Sequence, residues 1–241
     1  MFELLLPLFL LVLFILILFV IWRIKARKHI SSATVASAYD SWTQDKLLER
    51  LWGEHIHLGF YPLGEKNIDF RNAKINFVHE LVKWSGLDKL PKGSRILDVG
   101  CGIGGSSRIL AKYYGFNVTG ITISPAQVKR ARELTPSGLS CDFQTMNALD
   151  LKFEDGSFDA VWSVEAGAHM NDKNKFAEEM LRTLRPGGYL ALADWNSRDL
   201  NAYPPSFIEK LVLKRLLEQW VHPNFISIKD FANILGTSKN S

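Results

Sequence analysis

The stretch Arg95-Ile-Leu-Asp-Val-Gly-Cys-Gly-Ile-Gly-Gly-Ser-Ser-Arg-Ile-Leu-Ala-Lys-Tyr-Tyr114 constrains this chain more than any other. It opens as a short apolar run, Ile96, Leu97 and Val99, carrying one acid, Asp98. It breaks into Gly100, Gly102, Gly104 and Gly105, then resumes with Ile109, Leu110 and Tyr113 at helical spacing. Strand, tight turn and helix in that order make the first half of a βαβ unit. The glycines let the backbone pass close to a ligand, and the helix that follows points its free N–H groups at the same spot.

Downstream, the pattern repeats. Strands are expected at Phe116–Ile123, Cys141–Met146, Ala160–Val164 and Tyr189–Asp194, with helices at Ser124–Leu134, Asn171–Leu184, Phe207–Trp220 and Ile228–Leu235. Ser124-Pro125 is a capping residue followed by proline at the first helical position. Upstream, helices are expected at Ala38–Trp52 and Asn67–Trp84, joined by a loop dense in aromatics and histidine, residues 52–61. Alternating strands and helices imply an α/β fold, a Rossmann-like, doubly wound, mostly parallel sheet.

The N-terminus is different in kind. No charge falls between Leu4 and Trp22, close to the roughly 20 apolar residues that span a bilayer. Arg23, Lys25, Arg27 and Lys28 follow at once. This reads as a single-pass transmembrane helix, with the globular part on the cytoplasmic face of a plasma or thylakoid membrane. A cleaved signal peptide is the rival, since Ala36-Ser37-Ala38 resembles a cleavage site, but no basic residue precedes the apolar run. The net charge of +4 is concentrated behind this run, which argues for a membrane and against a nucleic-acid partner. Two cysteines, Cys101 and Cys141, form no disulfide framework.

Gly100-Cys-Gly-Ile-Gly-Gly105 also satisfies the dinucleotide pattern G-x-G-x-x-G, so the ligand must be argued. A nicotinamide site wants an acid about 20 residues on, at the end of the second strand, to hold the ribose. That place reads Gly120-Ile-Thr-Ile-Ser124. Asp98 would repel a pyrophosphate and attract a cationic amino group. A ligand with an ammonium, a carboxylate and an adenosine fits better, and S-adenosyl-L-methionine is that ligand.

Leu97-Asp-Val-Gly-Cys-Gly-Ile-Gly-Gly105 resembles the first motif of class I S-adenosylmethionine-dependent methyltransferases, and the resemblance continues through Phe153–Asp159 and Leu184–Gly188. Trp52–Tyr61, Gly120–Pro125 and Trp162–Met170 are similar to the tocopherol and plastoquinone methyltransferases, and most of all to those among them that act on 2-methyl-6-phytyl- and 2-methyl-6-solanesyl-1,4-benzoquinols. The resemblance implies that Asp98 holds the methionine ammonium, with Gly100 and Gly102 against the methionine moiety. Thr122 stands where most class I enzymes carry a ribose-binding acid, helped by the backbone at Ile123. Asn147-Ala148 stands where the family often has Asp-Ala against adenine. Ser163 and Glu165 end the fourth strand; Ser163 is expected at the cofactor, and Glu165 and His169 at the reaction zone. Tyr39, Trp52, His55 and His57 are expected to form a lid, with His169, Glu165, His55 and His57 as candidate bases. His55 and His57 have no third ligand at metal spacing, so no metal is expected.

The expected function is C-methylation of a prenylated benzoquinol in tocopherol or plastoquinone synthesis. Sterol or other lipid methylation, an NAD-dependent oxidoreductase and a non-catalytic S-adenosylmethionine-binding membrane protein are the alternatives. Three regions follow: an anchor over 1–30, a helical lid over 31–92 and the cofactor-binding domain over 93–241. The last two strands of the class I fold have no counterpart before Ser241, which leaves Tyr189–Ala193 as an expected bare sheet edge.

Overall fold

A computed structural model describes residues 2–25, 31–65 and 67–238. The elements in chain order are α1 (Phe2–Lys25), α2 (Ser32–Gln44), α3 (Leu47–Trp52), α4 (Phe70–Ser85), β1 (Arg95–Val99), α5 (Gly105–Tyr114) and β2 (Asn117–Thr122). They continue with α6 (Pro125–Leu134), β3 (Cys141–Thr145), β4 (Phe158–Val164), α7 (Lys173–Thr183), β5 (Leu184–Ala193), α8 (Phe207–Trp220) and α9 (Ile228–Ser238). Among the described residues these strands form one sheet in the order β3-β2-β1-β4-β5, every pair parallel. The expected α/β, doubly wound architecture is therefore present.

Strand alternation sorts the core. Ile96 and Val118 meet Val78 and Val82 of α4 and Ile109 and Leu110 of α5, while Phe143 packs on Val128 of α6. Leu97, Val99, Ile121 and Val161 point the other way, onto Phe176 and Met180 of α7 and Phe231 of α9. Both faces are buried, as an all-parallel sheet requires. β1 lies between β2 and β4, so the chain leaves it in one direction and returns on the other side. The resulting crevice at the strands' carboxyl ends is where such sheets bind ligands.

Some boundaries differ from expectation for local reasons. The helix expected at Ala38–Trp52 is two helices starting at Ser32; it breaks at Lys46, whose φ is 51°. β5 starts at Leu184, running through Arg185-Pro-Gly-Gly188 beside β4 with a bulge at Phe158–Ala160. Among the described residues β5 has only β4 as a strand neighbour, although its two faces are half-covered by helices.

Residues 7–19 of α1 are exposed. Among the described residues no helix is long and apolar enough to cross a membrane. Residues 7–19 alone fall short of the ~20 a bilayer requires, and the sequence-level span of Leu4–Trp22 extends beyond the side chains described. Arg27 and Lys28 lie outside the described residues, as do the side chains of Arg23 and Lys25.

Candidate active site

Above the carboxyl ends of β1, β2 and β4 lies a cavity of about 360 Å3, roofed by α2 and the 52–58 loop. Its floor comes from the glycine turn. Gly100, Gly102 and Gly104 all have positive φ, and a Cβ on Gly100 would stand 2.2 Å from that of Ala166. Gly105, the first residue of α5, has ordinary helical geometry. A Cβ there would meet the Glu54 carbonyl at 2.5 Å and the His55 ring at 2.8 Å. Gly105 thus lets the lid loop lie on the start of α5, a role distinct from tightening the strand–helix contact.

Asp98 is buried at the end of β1 and accepts a hydrogen bond from Ser107 Oγ at 2.5 Å. Burial pushes its carboxyl up to about 7, against the opposing pull of the Ser107 hydroxyl. No cation stands against it among the described residues, so a cationic group entering the cavity would find a carboxylate whose ionisation is costly until it is paired.

Two histidine arrangements line the cavity. His57 Nδ1 lies 2.8 Å from the Leu58 carbonyl, which can only accept, so that nitrogen carries the proton. Its Nε2 then accepts from His55 Nδ1 at 3.1 Å, which leaves His55 Nε2 with an unused lone pair. Burial holds His55 down to about 3 and His57 to about 4, so both rings are neutral at pH 7. In the second arrangement, His169 Nδ1 donates to the Val221 carbonyl at 3.4 Å. A neutral ring then offers Nε2 to the Tyr39 hydroxyl, 2.8 Å away. Burial raises the Tyr39 phenol far above its ordinary value and keeps it protonated.

His169 sits on the short turn Gly167–His169, which is clamped from beneath. Asp194 Oδ1 accepts from the Ala168 N–H at 3.0 Å, and Lys173 Nζ donates to the Gly167 carbonyl. Glu165 holds a left-handed backbone, φ 53°, and its Oε1 accepts from the Leu58 N–H at 2.9 Å. Burial raises its carboxyl. Part of the cavity wall is aromatic: Trp195, Trp220, His222 and Phe225 join Tyr39.

One floor for a carboxylate-and-amine ligand, sharing a cavity with neutral bases and an aromatic wall, is what a methyl-transferring enzyme requires. A family model described as "Methyltransferase domain" matches residues 97–192. The 2-methyl-6-phytyl-1,4-hydroquinone methyltransferase of Synechocystis sp. is 57% identical over 232 residues, covering 96% of this chain and 73% of that protein. The chain belongs to the class I S-adenosyl-L-methionine-dependent methyltransferases. The chloroplastic tocopherol O-methyltransferase of Arabidopsis thaliana is 38% identical over 201 residues, covering 78% of this chain but only 58% of that protein. The geranyl diphosphate C-methyltransferase of Streptomyces coelicolor A3(2), solved with S-adenosyl-L-homocysteine, shares the fold, with a TM-score of 0.65 at 21% identity over 86% of this chain and 78% of that one.

In this methyltransferase the expected residues Asp98, Gly100, Gly102, Thr122, Ile123, Asn147, Ala148, Glu165, His169, His55 and His57 all line the one cavity. Ser163 does not. Strand alternation turns it away from Trp162 and Val164, and its hydroxyl donates to the Val99 carbonyl at 2.9 Å, joining β4 to β1. The Asn147 carbonyl already accepts the Leu149 N–H at 3.0 Å, so it has one lone pair left for adenine. The Thr122 hydroxyl donates to Gln127 Oε1 at 2.6 Å. Gln127, buried in the first turn of α6 and lining the cavity, was not foreseen; the Ser124-Pro125 helix start was the signal for it. The aromatic wall was legible only as a density of Trp, His and Phe between Trp195 and Phe225.

The residues fit S-adenosyl-L-methionine. Asp98 has no cationic partner among the described residues, so it would be open to an ammonium, the positive-φ glycines keep the cavity floor clear of side chains, and Gln127 and Thr122 line the same cavity with polar groups that could meet hydroxyls. Among the described residues no three His, Cys, Asp or Glu side chains converge as metal ligands.

Proposed function

We propose that the chain methylates a ring carbon of a prenylated 1,4-benzoquinol, of the kind acted on in tocopherol and plastoquinone synthesis. The observation that carries this reading is the single cavity in which Asp98 and the glycine turn share a space with Tyr39, His169 and an aromatic wall. The name of the relative at 57% identity supports the acceptor class. Tyr39, Trp195, Trp220 and Phe225 suit a flat aromatic acceptor, and aromatic faces also favour a cationic methyl donor.

S-adenosyl-L-methionine, when bound, supplies the electrophilic methyl group. Asp98 would hold its ammonium, and Gln127 and Thr122 would hydrogen-bond its ribose. A phenol attacks through carbon only once it sheds its proton. The acceptor hydroxyl would donate to Tyr39 Oη while Tyr39 donates onward to His169 Nε2, leaving His169 as imidazolium backed by the Val221 carbonyl. Negative charge would then reach the ortho carbon, which would form the new C–C bond to the methyl group as the methyl–sulfur bond breaks and leaves a neutral thioether. That carbon must finally lose its own proton. Glu165, whose carboxyl is raised, and His55, whose Nε2 is unused, are the candidates for taking it.

The test is a labelled-methyl assay with 2-methyl-6-phytyl-1,4-benzoquinol and with membrane lipid extract. His169→Ala should lower kcat about 10²–10⁴-fold while S-adenosylhomocysteine binding persists. Asp98→Ala should abolish that binding. Retention of full methylation by both variants would overturn these roles. Binding without label on any prenyl-quinol would favour the reading as a non-catalytic binder.

The N-terminal region is proposed as a membrane anchor over 1–30, followed by the lid over 31–92 and the cofactor domain over 93–241. The uncharged run Leu4–Trp22, the basic residues behind it and the outward-facing apolar side chains of α1 support this, with the domain on the cytoplasmic face of a plasma or thylakoid membrane. A prenyl tail that stays in lipid gives such an anchor its purpose.

A further inference from the structure

α8 carries a surface that neither the cavity nor the core uses. Phe207, Ile208, Leu211 and Val212 fall on one side of its first two turns and are 82%, 70%, 53% and 62% exposed. Tyr203, just before the helix, extends the patch. Contiguous apolar surface of this kind marks an interaction site. The charges around it are selective. Glu209 is taken up by Arg198 at 2.8 Å and by the Ser206 cap, and Glu218 by Arg215 at 2.7 Å. Lys210 and Lys214 are exposed and have no ion-pair partner among the described residues. The patch is thus apolar with uncompensated positive charge beside it.

The far end of the same helix reaches the site. Leu216 and Trp220 line the cavity, and Trp220 meets Trp42 of α2 edge-on at 5.9 Å. Val221 packs with Val35 and Ala38 of α2, and Ser32, Val35 and Tyr39 line the cavity in turn. From Lys25, where α1 ends, to Ser32 the chain can reach at most about 25 Å fully extended. The apolar N-terminal run, the cavity and the α8 patch are therefore tethered within a short distance of one another.

We propose that the first half of α8 docks on the surface of an anionic bilayer, with Phe207, Ile208, Leu211 and Val212 in the interface and Lys210 and Lys214 at the headgroups, so that an acceptor enters the cavity from the lipid. This rests on the reading of the acceptor as a membrane lipid. An interfacial helix has just these parts, an apolar face with basic residues at its margin. A docked α8 lets the ring reach the aromatic wall while the tail remains in hydrocarbon.

Two measurements on the full chain test it, one independent of turnover. Leu211→Cys would be labelled with a charged, membrane-impermeant maleimide, with Lys112→Cys on α5 as the control. Cys101 is buried and burial raises both native thiols, so they label slowly. On vesicles of phosphatidylcholine with about 30% phosphatidylglycerol, labelling at 211 should slow roughly tenfold or more and recover without the anionic lipid, while 112 is unaffected. Equal labelling with and without vesicles overturns the proposal. Protection that follows protein concentration and ignores lipid assigns the patch to a second copy, and overturns it too. The second measurement pairs Phe207→Asp with Leu211→Asp. Methylation of a vesicle-embedded quinol should fall about tenfold, with S-adenosylhomocysteine affinity and methylation of a short-tailed, water-soluble quinol unchanged. Equal loss on both acceptors would mean a structural role. Protection at 211 in a chain that methylates no quinol would overturn the acceptor reading and leave the docking surface standing.

Discussion

Asp98 couples folding, cofactor and pH. Its carboxyl, pushed to about 7 by burial, is partly protonated in the free protein near neutrality. Pairing with an ammonium lowers it, so binding below pH 7 must release a proton. S-adenosylhomocysteine affinity is expected to rise with pH up to about 7, approaching tenfold per unit, and then level off. Titration calorimetry in buffers of different ionisation enthalpy reads the proton directly. Asp98→Asn should abolish both the release and the slope. The histidines work in the opposite sense. His55 and His57 bind protons less readily folded, at about 3 and about 4, than unfolded, at 6.5. The unfolded chain therefore takes up more protons between pH 6.5 and about 4, and stability falls as pH falls through that window. By themselves these two groups contribute a slope of about 2.7 kcal/mol per pH unit, opposed over the same window by Asp98, whose raised carboxyl makes the folded chain the better proton binder. Chemical denaturation at a series of pH values should show the slope drop by about 1.4 kcal/mol per pH unit in His55→Asn relative to the parent chain.

At the scale of elements, the lid is held to the sheet by acids it carries itself. Asp40 of α2 accepts from Ser124 Oγ at 2.5 Å and from the Ala126 N–H at 3.1 Å, at the start of α6. Glu49 of α3 pairs with Arg130 at 2.6 Å, and Glu54 of the following loop with Arg108 at 2.6 Å. Arg108 also donates to the Ile103 carbonyl at 2.8 Å, so lid and glycine turn share one guanidinium. The loop's fit on α5 depends on a hydrogen atom at Gly105. Gly105→Ala is expected to favour the helix by up to ~1 kcal/mol and yet displace Glu54 and His55. Because the Glu54 carbonyl is backbone and cannot swing aside, the clash outweighs that gain: the expected result is a lower melting temperature together with a kcat/KM that drops about tenfold or more.

Over the whole molecule, the elements were legible because their signals are local. The α5 turn shows its glycines, α6 its Ser-Pro cap, and α8 its boundaries, read from sequence at Phe207–Trp220 and found there. The break at Lys46 was not legible: a left-handed residue between two apolar helical patterns leaves the periodicity intact. The site was legible in part. The cavity-lining residues near the strand ends follow from the sheet rule, which locates ligands without knowing side-chain contacts. Ser163 was misplaced because the motif fixes a residue to a strand end but only pairing with β1 decides its face.

The amino-acid sequence by itself determined the order of strands and helices, the glycine turn with its acid at Asp98, and through these the kind of cofactor. These depend on periodicity, dihedral freedom and charge within about twenty residues of chain. Only the tertiary structure decided which distant groups meet: Tyr39 with His169 across 130 positions, Glu54 with Arg108, and Trp42 with Trp220. Such contacts arise when helices close over a sheet and bury apolar faces together. That packing is a property of the assembled core, and no local stretch carries it.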